Sequence, residues 1–258
     1  MKILIIGDVV GICGTEFLKQ NLHSFAKDRQ IDMIIANGEN AAKNNGLDKE
    51  TAEMLFASGV DVITSGNHIW HKFEMQNIID DYENILRPAN YPGNCPGNGY
   101  VIYNAGGVKV LVISVLGTVY LESLSCPFET VERIINREEG NYDISIVDIH
   151  AEATSEKAAL ARYFDGRLTA VVGTHTHVQT ADERLLPNGT AFITDLGMTG
   201  AYESILGVNC DRIINKFLTK MPTRFEQAEG ECQFNAVILD VDNVSYKAKS
   251  IERVFLIK

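Results

Sequence analysis

Lys2-Ile3-Leu4-Ile5-Ile6-Gly7-Asp8-Val9-Val10-Gly11 opens the chain with an apolar, largely β-branched run that ends in a glycine-bracketed loop. That is the pattern of a central strand buried on both faces. Asp8 stands at its carboxyl end. The arrangement recurs twice before residue 70: residues 33–36 run into Asn37-Gly38-Glu39-Asn40, and residues 60–64 open into Ser65-Gly66-Asn67-His68. Between the strands, helices are expected over 15–27, capped by Thr15 with Phe17, Leu18, Leu22 and Phe25 on one face, and over 48–57 with Asp48 as N-cap. Three successive strand–loop–helix units therefore deliver Asp8, Glu39 and Asn67-His68 to strand ends that lie side by side in a parallel sheet.

Beyond a helix expected over 72–80, the prolines and glycines at 88–99 mark an irregular crossing. Residues 100–104 and 108–115 read as a hairpin turning at Gly106-Gly107, where strict α/β alternation stops and a second, more antiparallel sheet is expected to begin. The aperiodic segment 117–130 carries Tyr120, Leu121, Leu124 and Phe128, which suits a lid or an intersubunit loop as well as an ordinary surface loop. A helix over 131–137 then leads to a strand at 144–147 ending in Asp148-Ile149-His150. A helix over 155–164 feeds a strand at 168–172 that emits Gly173-Thr174-His175-Thr176-His177. A strand at 191–194, a helix near 211–219 and strands at 232–240 and 245–255 complete the chain. There is no internal repeat, low-complexity tract or linker.

Composition narrows the function classes. At 258 residues and 45% hydrophobic, the chain can bury a sizeable core, and one domain over 1–258 is expected. A net charge of −11 argues against stable binding of duplex nucleic acid and against attachment to an anionic membrane surface. It leaves room for a small phosphate ester held by bound cations. Five scattered cysteines without a C-x-x-C fit a reduced cytosol, and no stretch approaches the ~20 apolar residues of a membrane span. A cytoplasmic protein is expected.

Two of only six histidines stand two residues apart at His175 and His177. In a still-extended segment they would face one side, where they either bind a metal or cap and hydrogen-bond the loop. Singly, the other polar residues have plain explanations. Asp8 and Asn67 could hold loops, Glu39 could be a solvated charge, and His150 could be a satisfied interior histidine. As a set, Asp8, Glu39, Asn67, His150, His175 and His177 all follow apolar strands and supply carboxylate, amide and imidazole donors. With one bridging carboxylate such a set suits two metals roughly 3.5–4 Å apart. His23 and His71 fall in expected helices and look peripheral. Cys13 is the only thiol close to this set in sequence.

Gly7-Asp8-Val9-Val10-Gly11, Asn37-Gly38-Glu39-Asn40-Ala41, Gly66-Asn67-His68, Arg87-Pro88-Ala89-Asn90, His150 to Lys157, Gly173 to Asp182 and Thr194 to Gly200 together resemble the bacterial YmdB-type metallophosphoesterases, in the same order along the chain. The resemblance implies a calcineurin-like four-layer α/β/β/α sandwich, with two mixed sheets flanked by helices. It also implies a cyclic-nucleotide phosphodiesterase that forms dimers or tetramers and acts by in-line attack of a metal-bridging hydroxide on 2',3'- or 3',5'-cyclic nucleotides. Asp8, Glu39 and His177 would hold one metal and Glu39, Asn67, His150 and His175 the other, with Glu39 bridging. Asn40 would add a ligand or position the nucleophile, and His68 would be the acid that protonates the leaving oxygen. Two departures matter. The wider superfamily has Asp-x-His where this chain has Asp8-Val9-Val10, so the first metal relies on oxygen ligands, which favours iron or manganese over zinc. Relatives also carry an acidic residue at the position of His71. The rivals to this reading are a phosphomonoesterase or nucleotidase using the same metals, and a non-catalytic nucleotide-sensing protein.

Overall fold

The computed structural model describes residues 1–258. Strand β1 (Lys2–Ile6) alternates its side chains between two cores: Leu4 and Ile6 pack toward helices, Ile3 and Ile5 toward a second sheet. That alternation follows from the period of two in a pleated strand, and a strand apolar on both faces must be covered on both. After β2 (Asp8–Val9) comes α1 (Gly11–Arg29), then β3 (Met33–Asn37), α2 (Lys49–Ala57), β4 (Val62–Thr64) and a single-turn helix α3 (Met75–Ile78). The second half supplies β5 (Tyr100–Ala105), β6 (Val108–Leu116), α4 (Pro127–Arg137), β7 (Ile144–His150), α5 (Thr154–Tyr163), β8 (Ala170–Thr174), β9 (Arg184–Leu185) and β10 (Ala191–Ile193). The chain closes with β11 (Met198–Ala201), α6 (Cys210–Thr219), β12 (Cys232–Val241) and β13 (Ala248–Ile257).

The first sheet has seven strands in the order β2-β11-β12-β1-β3-β4, with β13 on the other edge of β12; the second has six, in the order β5-β6-β7-β8-β10-β9. One buried cluster joins their facing sides through Ile3, Ile5, Met33 and Ile35 against Val110, Val112, Ile146 and Val172. A second cluster seats Phe17, Leu18 and Leu22 of α1 and Leu55 of α2 on the first sheet, and a third seats Val131 and Ile135 of α4 and Leu160 of α5 on the second. The layers are thus α/β/β/α. Each fully buried Leu, Ile or Val is worth about 1.5–3 kcal/mol of transfer free energy, so these three clusters dominate the favourable side of folding.

The second sheet is more parallel than the sequence pattern suggests. Strands β6, β7, β8 and β10 run parallel, and only β5 and β9 at the edges are antiparallel. Runs such as 110–116 and 144–150, buried at every position, are the mark of a parallel strand covered on both faces. Helices α4 and α5 are their crossovers. The antiparallel pairings instead concentrate around β12 in the first sheet. Helix α1 begins at Gly11, ahead of Thr15, which is buried within it and turns its hydroxyl back to Gly11 O and Ile12 O rather than capping. Asp48 does cap α2, accepting from Thr51 N at 3.0 Å. The helix expected over 72–80 shrinks to α3 and a 3₁₀ turn at Ile79–Asp81. Within 117–130, the Glu156 carboxylate accepts from Thr118 N and Val119 N, and α4 starts early at Pro127, with Phe128 edge-on to Tyr163 at 5.7 Å. The segment is anchored at both ends and leaves Tyr120 88% exposed at its tip. No helix is long and apolar enough to cross a membrane.

Candidate metal centre

The carboxyl ends of β1, β3, β4, β7 and β8 converge, and the six residues singled out from the sequence meet there. His150, the last residue of β7, is fully buried, with Nε2 3.1 Å from Glu39 Oε1, 3.1 Å from Asn67 Oδ1 and 3.0 Å from His175 Nδ1. Glu39, His150 and His175 offer donor atoms that all lie within 4.8 Å of one another. Asp8 Oδ1 lies 3.8 Å from His150 Nδ1 and 3.8 Å from His177 Nε2. Asn40 bridges the two halves, with Nδ2 3.0 Å from Glu39 Oε1 and 3.3 Å from His177 Nε2. His68 sits on the rim: its backbone N donates to Glu39 Oε2 at 3.0 Å, and its Nδ1 is 2.9 Å from Asn40 Oδ1.

His175 and His177 converge by a route the sequence does not suggest. The segment is not extended: His175 has φ 105° and His177 φ 62°, left-handed conformations costing on the order of 1–3 kcal/mol each. Three bonds hold them there. His175 N donates to Asp8 Oδ2 at 3.0 Å, while Asp195 accepts from Thr176 N at 3.0 Å and from Gly197 N at 2.9 Å. Asp195 is in turn paired with the fully buried Lys157 at 2.7 Å. Sequence reasoning gives neither member of that pair a role, although Lys157 and Asp195 each lie inside one of the family-like motifs. A further signal is the lone lysine in the buried stripe of α5.

A second buried network fixes tautomers. Thr174 Oγ1 donates to Asp148 Oδ1 at 2.7 Å and so accepts from His150 Nδ1 at 2.9 Å. Asp148 Oδ2 takes bonds from Thr64 Oγ1 at 2.6 Å and Asn37 Nδ2 at 3.1 Å. His177 Nδ1 faces Leu206 O at 3.1 Å, which draws its proton to that side. In both rings Nε2 is left aimed into the cluster, the arrangement a metal-binding imidazole needs. From the sequence Asp148 is only a strand residue. Its position two before His150, on the same face of one strand, is the clue to more.

The electrostatics demand positive charge. Burial pushes Asp8 up to about 6, and its Oδ1 has no hydrogen-bond partner at all. Burial would also raise Glu39, but His150 and His68 outweigh it and hold this carboxyl well below the usual range. Burial would lower His150, yet Glu39 and Asp8 push it up to about 9. Burial and the neighbouring His150 take His175 down to about 4. A proton on His150 thus occupies the place between Glu39, Asn67 and His175 where a cation would satisfy the same atoms. An orphaned buried carboxylate oxygen and convergent imidazole nitrogens fit metal ions.

His71 is not in a helix, nor is it remote. It stands in a turn with its ring centroid 4.2 Å from that of His68. His23 lies in α1 against Ala57 O at 3.1 Å, away from the centre. Cys13 turns toward Gly230 and takes no part. Gly66 admits no side chain, because a Cβ there would strike both His150 and Glu39. If His150 and Glu39 hold a metal for hydrolysis, Gly66→Ala is expected to reduce bound metal and activity together, by about 10–100-fold, the usual cost of disturbing residues that orient metal ligands. Metal analysis beside a diester assay checks this, and a fully loaded, fully active variant would contradict the geometry.

Two facing mixed sheets with helices outside, and a carboxylate–amide–imidazole cluster at their carboxyl edge, define the calcineurin-like phosphoesterase class of fold. Within it, a YmdB-like protein family model matches residues 4–254, and the chain belongs to that family. It is 46% identical over 256 residues, covering 99% of this chain and 97% of the other, to the 2',3'-cyclic-nucleotide 2'-phosphodiesterase of Bacillus subtilis strain 168. Among solved structures, it is similar to a hypothetical protein from Thermus thermophilus, with TM-score 0.94, 40% identity and 100% of both chains covered. It is also similar to a phosphatase of Mycoplasma pneumoniae, with TM-score 0.93, 33% identity, and 100% of this chain and 93% of that one covered.

Proposed function

We propose that this chain is a metal-dependent phosphodiesterase that hydrolyses small nucleotide diesters, 2',3'-cyclic nucleotides foremost. The observation that carries the reading is the Asp8–Glu39–Asn67–His150–His175–His177 cluster, with Asp8, Glu39 and His150 buried and the other three half-buried, whose acceptors have no Lys or Arg partner and whose Asp8 Oδ1 has no partner of any kind. The name of the Bacillus relative supports the substrate class. Asp8, Glu39 and His177 would hold one cation, and Glu39, Asn67, His150 and His175 a second, with Asn40 beside both. Bound cations supply the charge that acidifies a water and neutralises the phosphoryl oxygens. The protein supplies the rest. Asn67 meets the His150 ring, His150 and Asn40 set the position of Glu39, Asp195 holds the His175–His177 loop, and Asn40 fixes the His68 ring through Nδ1, leaving Nε2 to protonate the departing alkoxide. Oxygen-rich ligation around Asp8, with Val10 where a further imidazole could stand, favours iron or manganese. Five free thiols suit a reducing cytoplasm.

His68→Ala is expected to keep its metals and to lose about 10²–10⁴-fold in turnover of 2',3'-cyclic AMP. It should lose far less on bis(4-nitrophenyl) phosphate, whose phenolate leaves without protonation. Equal losses on the two substrates would remove the acid role. A second reading, phosphomonoester hydrolysis, is favoured by the description of the Mycoplasma structure as a phosphatase. The ratio of rates on bis- and mono-(4-nitrophenyl) phosphate, with 3',5'-cyclic AMP as a further arm, decides between them. A protein that binds cyclic nucleotide but turns over none of these with manganese or iron present would be a sensor.

A further inference from the structure

The Arg87-Pro88-Ala89-Asn90 motif is only partly used by the fold. Ala89 N donates to Ser114 O at 2.7 Å, and the Asn90 side chain exchanges bonds with Leu116 N and O at 2.9 and 2.8 Å, pinning the segment to β6. Arg87 is different. Its side chain is 7% exposed and gives one N–H to Pro96 O at 3.1 Å and one to Pro88 O at 2.9 Å, and it has no carboxylate partner. A guanidinium has five N–H donors, so most of this one's capacity is unspent. Burial lowers its pKa, as expected of a cation whose lost hydration two carbonyl oxygens replace only in part.

Arg87 lines a cavity of about 480 Å³ together with Arg133 and Arg137, one turn apart on α4, and with Tyr91, Ser125 and the Gly97–Gly99 backbone. The cavity shares no lining residue with the metal cluster. Of the nearby carboxylates, Glu138 meets Arg137 at 3.5 Å and accepts from Tyr100, Glu122 accepts from Tyr91, and Asp80 accepts from Gly97 N. None reaches Arg87 or Arg133. On a chain with 34 acidic and 23 basic residues, Arg87 and Arg133 stand on one cavity wall without a carboxylate partner.

We propose that this cavity is an anion site, distinct from the metal centre, that takes a phosphate-bearing small molecule through Arg87, Arg133 and Arg137. Guanidinium groups match phosphate oxygens two at a time, and the Ser125 hydroxyl adds a donor, the Tyr91 hydroxyl being spent on Glu122. The volume lies within the ~300–1,000 Å³ of small-molecule sites and exceeds what phosphate alone fills, so a phosphomonoester with a nucleoside-sized body is accommodated. The site stands whether or not the diesterase reading does.

Calorimetric titration with inorganic phosphate and with adenosine 5'-monophosphate tests it. Glu39→Ala sets aside the anion affinity of the metal centre, and it should retain one saturable phosphate site. Adding Arg133→Ser and Arg137→Ser, both on the exposed face of α4, should weaken that site about tenfold or more, a difference of about 1.4 kcal/mol, with an unchanged melting temperature. Tighter binding of the nucleotide than of phosphate, lost in the same variant, assigns a nucleotide as ligand; equal binding assigns free phosphate. No saturable site in Glu39→Ala, or an affinity indifferent to the arginine changes, overturns the proposal.

Discussion

Glu39→Gln is expected to lose about 10³-fold or more of diester hydrolysis and to retain fewer metal ions per chain than the wild type. The side chain keeps its size, so the effect isolates the charge. Glu39 is 1% exposed, its two oxygens face His150, Asn40 and His68 N, and its anionic form is what His150 and His68 stabilise. An amide would turn an N–H toward one of these donors and could bridge nothing. Charge stabilisation by bound metals is worth several kcal/mol in such reactions, and each 1.36 kcal/mol is a factor of ten. Elemental analysis and bis(4-nitrophenyl) phosphate turnover on the same preparation read both effects. Full metal content with activity within about tenfold of wild type would show that Glu39 is not the shared ligand, and the two-metal assignment would fall with it.

Lys157→Met should be the most destabilising single change away from the proposed metal ligands. Lys157 has 0% exposure and its Nζ is 2.7 Å from Asp195 Oδ2, so the variant strands a carboxylate that is itself fully buried. Breaking a buried pair from one side costs about 3–5 kcal/mol. At about 2–4 °C per kcal/mol for a domain of this size, the melting temperature should fall by about 6–20 °C. Pairing it with Asp195→Asn removes the stranded charge and leaves a carbonyl for one of Thr176 N and Gly197 N, so roughly half the loss should return. Metal affinity should stay reduced in the double variant, because a neutral amide holds Thr176 N, the bond that ties the His175–His177 loop to the residue 195 side chain, less firmly than the carboxylate does. Calorimetric melting of the three proteins checks the ranking. A Lys157→Met protein melting within about 2 °C of wild type would mean that Asp195 takes up a proton instead.

The strand ends are legible in the sequence because their cause is local. An apolar run that stops at Gly7-Asp8, at Asn37-Gly38-Glu39 or at Gly66-Asn67-His68 announces a buried strand feeding a polar loop, and parallel packing does the rest. Asp48 is legible as a cap for the same reason, since its partner is three residues away. Thr15 misleads because its environment is not local. Gly11, at φ 62°, already turns the chain into α1, with its own N–H bonded to Asn40 O, so the helix starts where no side-chain signal marks it.

The amino-acid order alone determined the α/β character, the shared edge to which Asp8, Glu39, Asn67, His150, His175 and His177 come, and their donor chemistry, because strand period and loop polarity are short-range properties. Only the tertiary structure decided the parallel direction of β6, β7, β8 and β10, the left-handed turns at His175 and His177, and the buried partners that hold them. Lys157 meets Asp195 across 38 residues, and Thr64 meets Asp148 across 84. Such pairs exist only after burial has removed the water that would otherwise satisfy each group, and a single chain read residue by residue carries no sign of which buried group will meet which.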